Sequence, residues 1–243
     1  MNESFSSRVL LECCVGSVED AIFAEQGGAD RIELNLSLES GGLTPSIGLF
    51  KEVFASVSLP VLPIIRPRTG GFRYSATEQK VILSDAERLL EEGASGIVTG
   101  CLTGSDLVPE SFWAELRKLV GPRELVFHRA MDVVADLDEL LDQLIALGTD
   151  RVLTSGGCST ALRGAGNLKR LVGLAGSRIE ILAAAGVSAA NVIELVRKTD
   201  CRQVHGSFRK MVSDPAGVVG EDRFSRISLG EVLAVRGQLD KLI

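Results

Sequence analysis

Gly27-Gly28-Ala29-Asp30-Arg31-Ile32-Glu33-Leu34 reads as the end of a helix, a tight turn and the start of a strand. Glycine frees the backbone at the helix terminus, a small residue turns the chain, and aliphatic side chains alternate with charges beyond it. The pattern returns as Gly93-Ala94-Ser95-Gly96-Ile97-Val98 and as Gly148-Thr149-Asp150-Arg151-Val152-Leu153, a weak internal repeat. Outward from these seams, eight short apolar runs alternate with longer helical patterns, at residues 9–13, 31–35, 61–65, 96–99, 125–128, 151–154, 179–183 and 202–205. Helix starts are signalled by Ser17 with Asp20, Thr44 before Pro45, Ser75 with Glu78, and Asp136 with Glu139. Each parallel pairing needs a helix-sized crossover. Eight such units in 243 residues predict a single-domain α/β fold, a (β/α)8 TIM barrel. A dinucleotide-binding sheet is disfavoured because no GxGxxG follows the first run. Residues 1–8 are expected to be a disordered N-terminus, 9–210 the barrel, and 211–243 a C-terminal extension packing on it. That extension reads as a Gly/Pro/Asp loop over 213–221 and a terminal helix over 229–242.

The chain holds 26 Lys+Arg against 32 Asp+Glu, a formal charge of −6. A net acidic chain lacks the basic face that nucleic acid or an anionic membrane would need, so neither is expected as the main partner. Five cysteines, Cys13, Cys14, Cys101, Cys158 and Cys201, are odd in number and show no CxxC spacing, which suits free thiols in a reducing cytosol. Cys101, Cys158 and Cys201 read as buried apolar fillers. The polar N-terminus runs into only three apolar residues, too few for a signal sequence, and a cytoplasmic location is expected.

A barrel of this kind works at the carboxyl ends of its strands. There this sequence places Glu12 and Cys14 after the first run, Glu33 and Asn35 on the second, Arg66 and Arg68 after the third, and His128, Arg129 and Asp132 after the fifth. Thr154 and Ser155 follow the sixth, and His205 and Ser207 the eighth. Both of the chain's histidines therefore sit at strand ends. Strand alternation puts Glu12 and Cys14 on one face and Cys13 on the other, so the adjacent thiols cannot easily grip one ion. Glu12, Glu33, His128 and Asp132 are the candidate proton-transfer groups. Arg66, Arg68, Arg129, Ser155 and His205 are candidates for holding a small anionic substrate. Gly186 and Ser207, in the small-residue loops after the seventh and eighth runs, would let backbone amides approach a phosphate. Those small residues equally permit tight packing of strand on helix. Thr69 to Tyr74 reads as a loop carrying cations and an aromatic over the site.

Several words in order are similar to those of one family: Leu11-Glu12 with Cys14, GADRIEL at 28–34, GGLTPSIG at 41–48, PIIRPR at 63–68, GFRYS at 71–75, FHRAMD at 127–132, RVLTSG at 151–156 and Val204-His205. Together they resemble the CutC family of copper homeostasis proteins. The resemblance implies a (β/α)8 barrel, a role in copper binding or trafficking, and a Cu(I) site of two cysteines at the ends of strands one and two. Cys14 matches the first of these and Asn35 stands at the second, while Gly206 replaces a further family cysteine. An amide is a poor Cu(I) ligand. Two readings stay open: a copper protein with an incomplete thiol pair, and a metal-independent barrel enzyme performing acid/base chemistry on a phosphorylated or carboxylated metabolite. An exposed helix face is expected to allow a homodimer.

Overall fold

The computed structural model describes residues 8–218 and 221–242; most of the expected disordered N-terminus, residues 1–7, lies outside the described residues. Arg8 is held, its guanidinium paired with Asp30 at 3.1 Å. Eight parallel strands follow: β1 (Leu10–Val15), β2 (Arg31–Leu34), β3 (Val61–Pro63), β4 (Gly96–Thr99), β5 (Glu124–Phe127), β6 (Arg151–Thr154), β7 (Glu180–Ala183) and β8 (Gln203–Gly206). They pair in the order β3-β2-β1-β8-β7-β6-β5-β4. The two ends then meet, because Ile64 bridges Val98, the Ile65 N–H donates to the Val98 carbonyl at 2.7 Å, and Thr99 Oγ1 donates to the Ile65 carbonyl at 2.8 Å. Closure makes the fold a (β/α)8 TIM barrel.

Helices α1 (Val18–Gln26), α2 (Ile47–Ser56), α3 (Ala76–Glu91), α4 (Glu110–Val120), α5 (Leu137–Ala146), α6 (Ala165–Ala175) and α7 (Val192–Thr199) connect the strands. Ser17 and Asp136 cap α1 and α5, and Ser75 with Glu78 forms a complete capping box on α3. Thr44 does not start α2. Ser46 caps that helix, accepting the Leu49 N–H, and Thr44 Oγ1 instead accepts the Arg66 N–H at 2.9 Å, tying two rim loops together.

Within the loop expected at 213–221, residues 213–218 and 221 are instead part of an antiparallel hairpin, β9 (Arg209–Val218) and β10 (Glu221–Ile227), and 219–220 lie outside the described residues. Its base is anchored on α1: buried Asp20 accepts from Arg209 Nη1 and from the Ile227 N–H, both at 2.8 Å. The terminal helix α8 (Leu229–Leu239) packs between α7 and α1, the place of the eighth barrel helix. Val232, Val235 and Leu239 enter the core, and Arg236 donates to the Val9 carbonyl at 3.0 Å.

Strand alternation divides the core. Outward faces pack against the helices in one continuous cluster that includes Leu11, Cys13, Ile32, Leu34, Phe127 and Val204. The barrel's inside is unequal. From β3 through β7 it is lined by Leu62, Ile64, Val98, Val126, Leu153, Leu182 and Ala184, each large aliphatic contributing about 2 kcal/mol by burial, with Arg151 buried on the same face of β6 and paired to Glu124 of β5 and Glu180 of β7. From β8 through β1 to β2 it holds buried Gln203, His205, Glu12, Cys14, Arg31, Glu33 and Asn35. Burying so many polar groups is tolerable only where they satisfy one another.

Candidate active site

Register explains the polar side. Glu12 on β1 lies opposite His205 on β8 and Arg31 on β2, while Cys14 lies opposite Glu33. Glu12 receives the Arg31 Nε–H on one oxygen and His205 Nδ1 on the other at 2.7 Å. Arg31 continues to Gln203 Oε1 at 2.8 Å, so the network runs down to the barrel floor. Burial alone would raise the Glu12 pKa, yet Arg31 and His205 overcome it and hold the carboxyl well below the usual range. Burial likewise works against a charged His205, but the bond to Glu12 and the charge of Glu33 raise its pKa above the ordinary value. Glu33 is the reverse case: burial and the nearby Glu12 push its pKa up, against the pull of His205. Its Oε2 accepts Asn35 Nδ2 at 2.8 Å and lies 3.9 Å from His205 Nε2. Cys14 receives the same Asn35 amide on its sulfur at 3.2 Å, and burial beside Glu33 drives its thiol pKa well above the ordinary value.

The opposite wall is built differently. His128 ends β5 with Nδ1 accepting the Ala130 N–H at 3.2 Å, and Phe72 packs on its ring at 4.6 Å between centroids. Burial, reinforced by the Arg66 charge, brings the His128 pKa down to about 3, so the imidazole is neutral. Gly100 lets the ring in: a Cβ there would fall 2.5 Å from His128. Arg66 stacks over Phe72 at 5.2 Å and donates to the carbonyls of Gly41, Gly42 and Gly70 at 2.8–3.0 Å. Gly42 has φ +81°, and a side chain there would collide with Asn35 Oδ1.

Between the walls lies a cavity of about 200 Å³ lined by Cys14, Glu33, Asn35, Arg66, Phe72, His128, Arg129 and His205 among others. Five of the expected side chains therefore meet there with Cys14: Glu33, Arg66, His128, Arg129 and His205. Glu12 supports the cavity from behind. Asp132 is not at its wall. Asp132 accepts from Arg129 Nε, Thr154 Oγ1 and the N–H groups of Ser155 and Gly157, and this saturated carboxylate fixes the β6–α6 loop. Ser155 is buried in that loop, accepting from Arg129 Nη2 at 3.3 Å and donating to the Cys158 carbonyl. Arg68 turns outward to Glu78, the loop carbonyls of Thr69, Gly71 and Arg73, and the face of Tyr74. Gly186 uses φ +73° for a turn whose carbonyl accepts Asn191 Nδ2, and Ser207 is exposed. Behind Ser207 the chain enters β9 rather than a helix, so the helix N-terminus that would help bind a phosphate is lacking there. Cys101 and Cys201 are buried fillers as expected, whereas Cys158 is only half-buried.

Phe72 is given no role in the sequence reading, although the aromatic in the 69–74 loop is its signal, and Asn35, placed at its strand end without a role, donates to both Glu33 and Cys14. Cys14, Glu33 and His205 bring one potential ligand atom each within 4.8 Å of one another, a set able to hold a metal ion. Cys13 faces the outer core, as alternation requires.

The sequence profile of the CutC family matches residues 9–210. The chain belongs to the CutC family. A CutC family protein of Treponema denticola is 43% identical over 208 residues, covering 86% of this chain and 85% of the relative. The crystal structure of a Streptococcus agalactiae CutC, named for copper homeostasis, superposes with TM-score 0.77 at 32% identity over 82% of this chain and 98% of that one. The Pyrococcus furiosus N-(5'-phosphoribosyl)anthranilate isomerase, TM-score 0.55 at 15% identity over 96% of this chain and 99% of that one, shares the barrel alone. The CutC match stops at residue 210, just inside the hairpin, so β10 and α8 lie outside it. Among the described residues no helix is long and apolar enough to cross a membrane.

Proposed function

We propose that this CutC-family chain is an enzyme acting on a small anionic metabolite by acid/base chemistry at the carboxyl end of the barrel. The observation that carries the reading is the Glu12–His205–Glu33 array, of which His205 and Glu33 line a half-open cavity together with Arg66 and Arg129. Glu12 orients His205 through Nδ1 and favours its charged form; His205 in turn stands beside Glu33, whose raised pKa makes it a stronger base than an ordinary carboxylate. Arg129 at the mouth and Arg66 at the wall supply positive charge for a carboxylate or phosphate. A cavity of about 200 Å³ admits a molecule of few heavy atoms. The test is a thermal-shift survey of small carboxylates and phosphates, where a ligand at 100-fold its Kd adds about 2.7 kcal/mol of stability. A saturable rise in Tm that Arg129→Ala weakens supports the reading; no rise with any anion defeats it.

Copper homeostasis, the role in the family's name, is the second reading, and the cluster of Cys14, Glu33 and His205 favours it. Copper would be cargo, held by the Cys14 sulfur and His205 Nε2 with Glu12 orienting the ring, as carboxylates orient ligating histidines elsewhere. The fit is poor for Cu(I). One thiol replaces the expected pair, its proton is held tightly by burial beside a carboxylate, and Asn35 offers no soft donor. Titration of the reduced protein with Cu(I) against a competing chelator decides it: binding tighter than micromolar that Cys14→Ser abolishes supports a copper site, and weak binding indifferent to Cys14→Ser removes it.

A further inference from the structure

Three buried polar atoms on residues lining the cavity have no protein partner: Glu33 Oε1, His128 Nε2 and Arg66 Nε. Their chemistry is complementary. His128 Nδ1 accepts the Ala130 N–H, so the ring hydrogen of the neutral imidazole sits on Nε2 and makes it a donor. Arg66 Nε–H is a second donor, whereas Glu33 Oε1 is an acceptor with its sister oxygen already engaged by Asn35. An unmade buried hydrogen bond costs about 1–3 kcal/mol. Native proteins seldom leave such atoms without a functional reason, and here all three are on residues that line one cavity. A ligand that relieves them presents an acceptor to His128 and Arg66 and a hydrogen to Glu33.

Resting on the function proposed above, we infer that the cavity enolises a small carbonyl compound that carries a carboxylate or phosphate, with Glu33 as the base and His128 Nε2–H as the donor to the carbonyl oxygen. Glu33 takes the proton from the carbon beside the carbonyl. That C–H electron pair becomes the new C=C bond, and the carbonyl π pair moves onto oxygen, where His128 and Arg66 meet the developing charge. Return of the proton from Glu33 to the same carbon restores the substrate. When the deprotonated carbon bears a hydroxyl, His128 Nε2 gives its hydrogen to the former carbonyl oxygen and takes the hydroxyl hydrogen in exchange, and return of the carbon proton from Glu33 to the former carbonyl carbon shifts the carbonyl by one position. No oxidant, reductant or co-reactant is needed. The Arg66 guanidinium beside it, with burial, keeps His128 neutral, and a neutral ring polarises a carbonyl without first surrendering its proton.

The test follows C–H signals of dihydroxyacetone phosphate, hydroxypyruvate and 2-oxobutanoate by proton NMR in D2O, with saturation transfer reporting binding in the same samples. Exchange faster than in buffer with at least one probe is expected, slowed about 100-fold or more by Glu33→Gln and by His128→Gln. Both variants must retain the far-UV spectrum and probe binding; Glu33→Asp, which keeps the carboxylate, should retain part of the rate. Binding without exchange, or exchange unaffected by Glu33→Gln, overturns enolisation and leaves the anionic-metabolite reading standing. Absence of both binding and exchange overturns the two together.

Discussion

His128 and His205 occupy the same kind of place, buried at a strand end on one cavity, and their surroundings drive them to opposite states. Burial disfavours the charged ring at both. At β8 the carboxylates of Glu12 and Glu33 outweigh that cost; at β5 the charge of Arg66 adds to it. Neighbouring charge, and not depth, separates a poised cation from a neutral donor. The two sides of the barrel differ in their packing as well: polar side chains fill the stretch from β8 to β2, whereas from β3 to β7 aliphatic side chains lie above an ion-pair cluster of buried Arg151 with Glu124 and Glu180.

Removing Glu12 strikes the charged side hardest. Glu12→Gln leaves Arg31 buried without its carboxylate and His205 without its support, for an expected loss of about 3–5 kcal/mol in denaturant unfolding. The same carboxylate has a pKa lowered below 4.5, so the stability it contributes is present above pH 4.5 and is lost as pH falls further. The neutral side breaks sterically: Gly100→Ala drives a methyl against the His128 ring and should cost about 1–3 kcal/mol, measured the same way. The pH dependence separates the sides more finely. His128 releases its proton at about 3 when folded against 6.5 when unfolded, so it lowers stability as pH falls from 6.5 towards 3, and His128→Gln should flatten that limb. His205, raised above 6.5, stabilises below that pH and loses its contribution as pH rises through the folded value; His205→Gln should remove this alkaline loss. The smallest effect belongs to Arg68→Ala, which should leave anion binding by calorimetry unchanged because the side chain faces Glu78 and solvent.

Periodicity carries the barrel because each strand is a short apolar run between helix signals, and all eight runs coincide with strands, shifted by a residue or two at their ends. The site is legible where alternation alone fixes direction, as for Glu12, Cys14 and Glu33. Beyond a strand end direction is no longer periodic: Arg66 and Arg68 stand two apart, yet one turns in to loop carbonyls and the other out to Glu78. Asp132 reads as a catalytic acid until the loop amides that saturate it are placed. The β9–β10 hairpin is hidden because Pro215 and Gly217 carry loop signals, and the partners of residues 209–213 lie ten or more residues on, at 223–227.

The most direct measurement is an NMR titration of both imidazoles from pH 4 to 9 on nitrogen-labelled protein. The expected result is that His128 stays neutral with its hydrogen on Nε2 throughout, while His205 is protonated at pH 6 and titrates above 6.5. A His128 that protonates near 6.5, or a His205 already neutral at pH 6, would contradict the division of labour between the two walls.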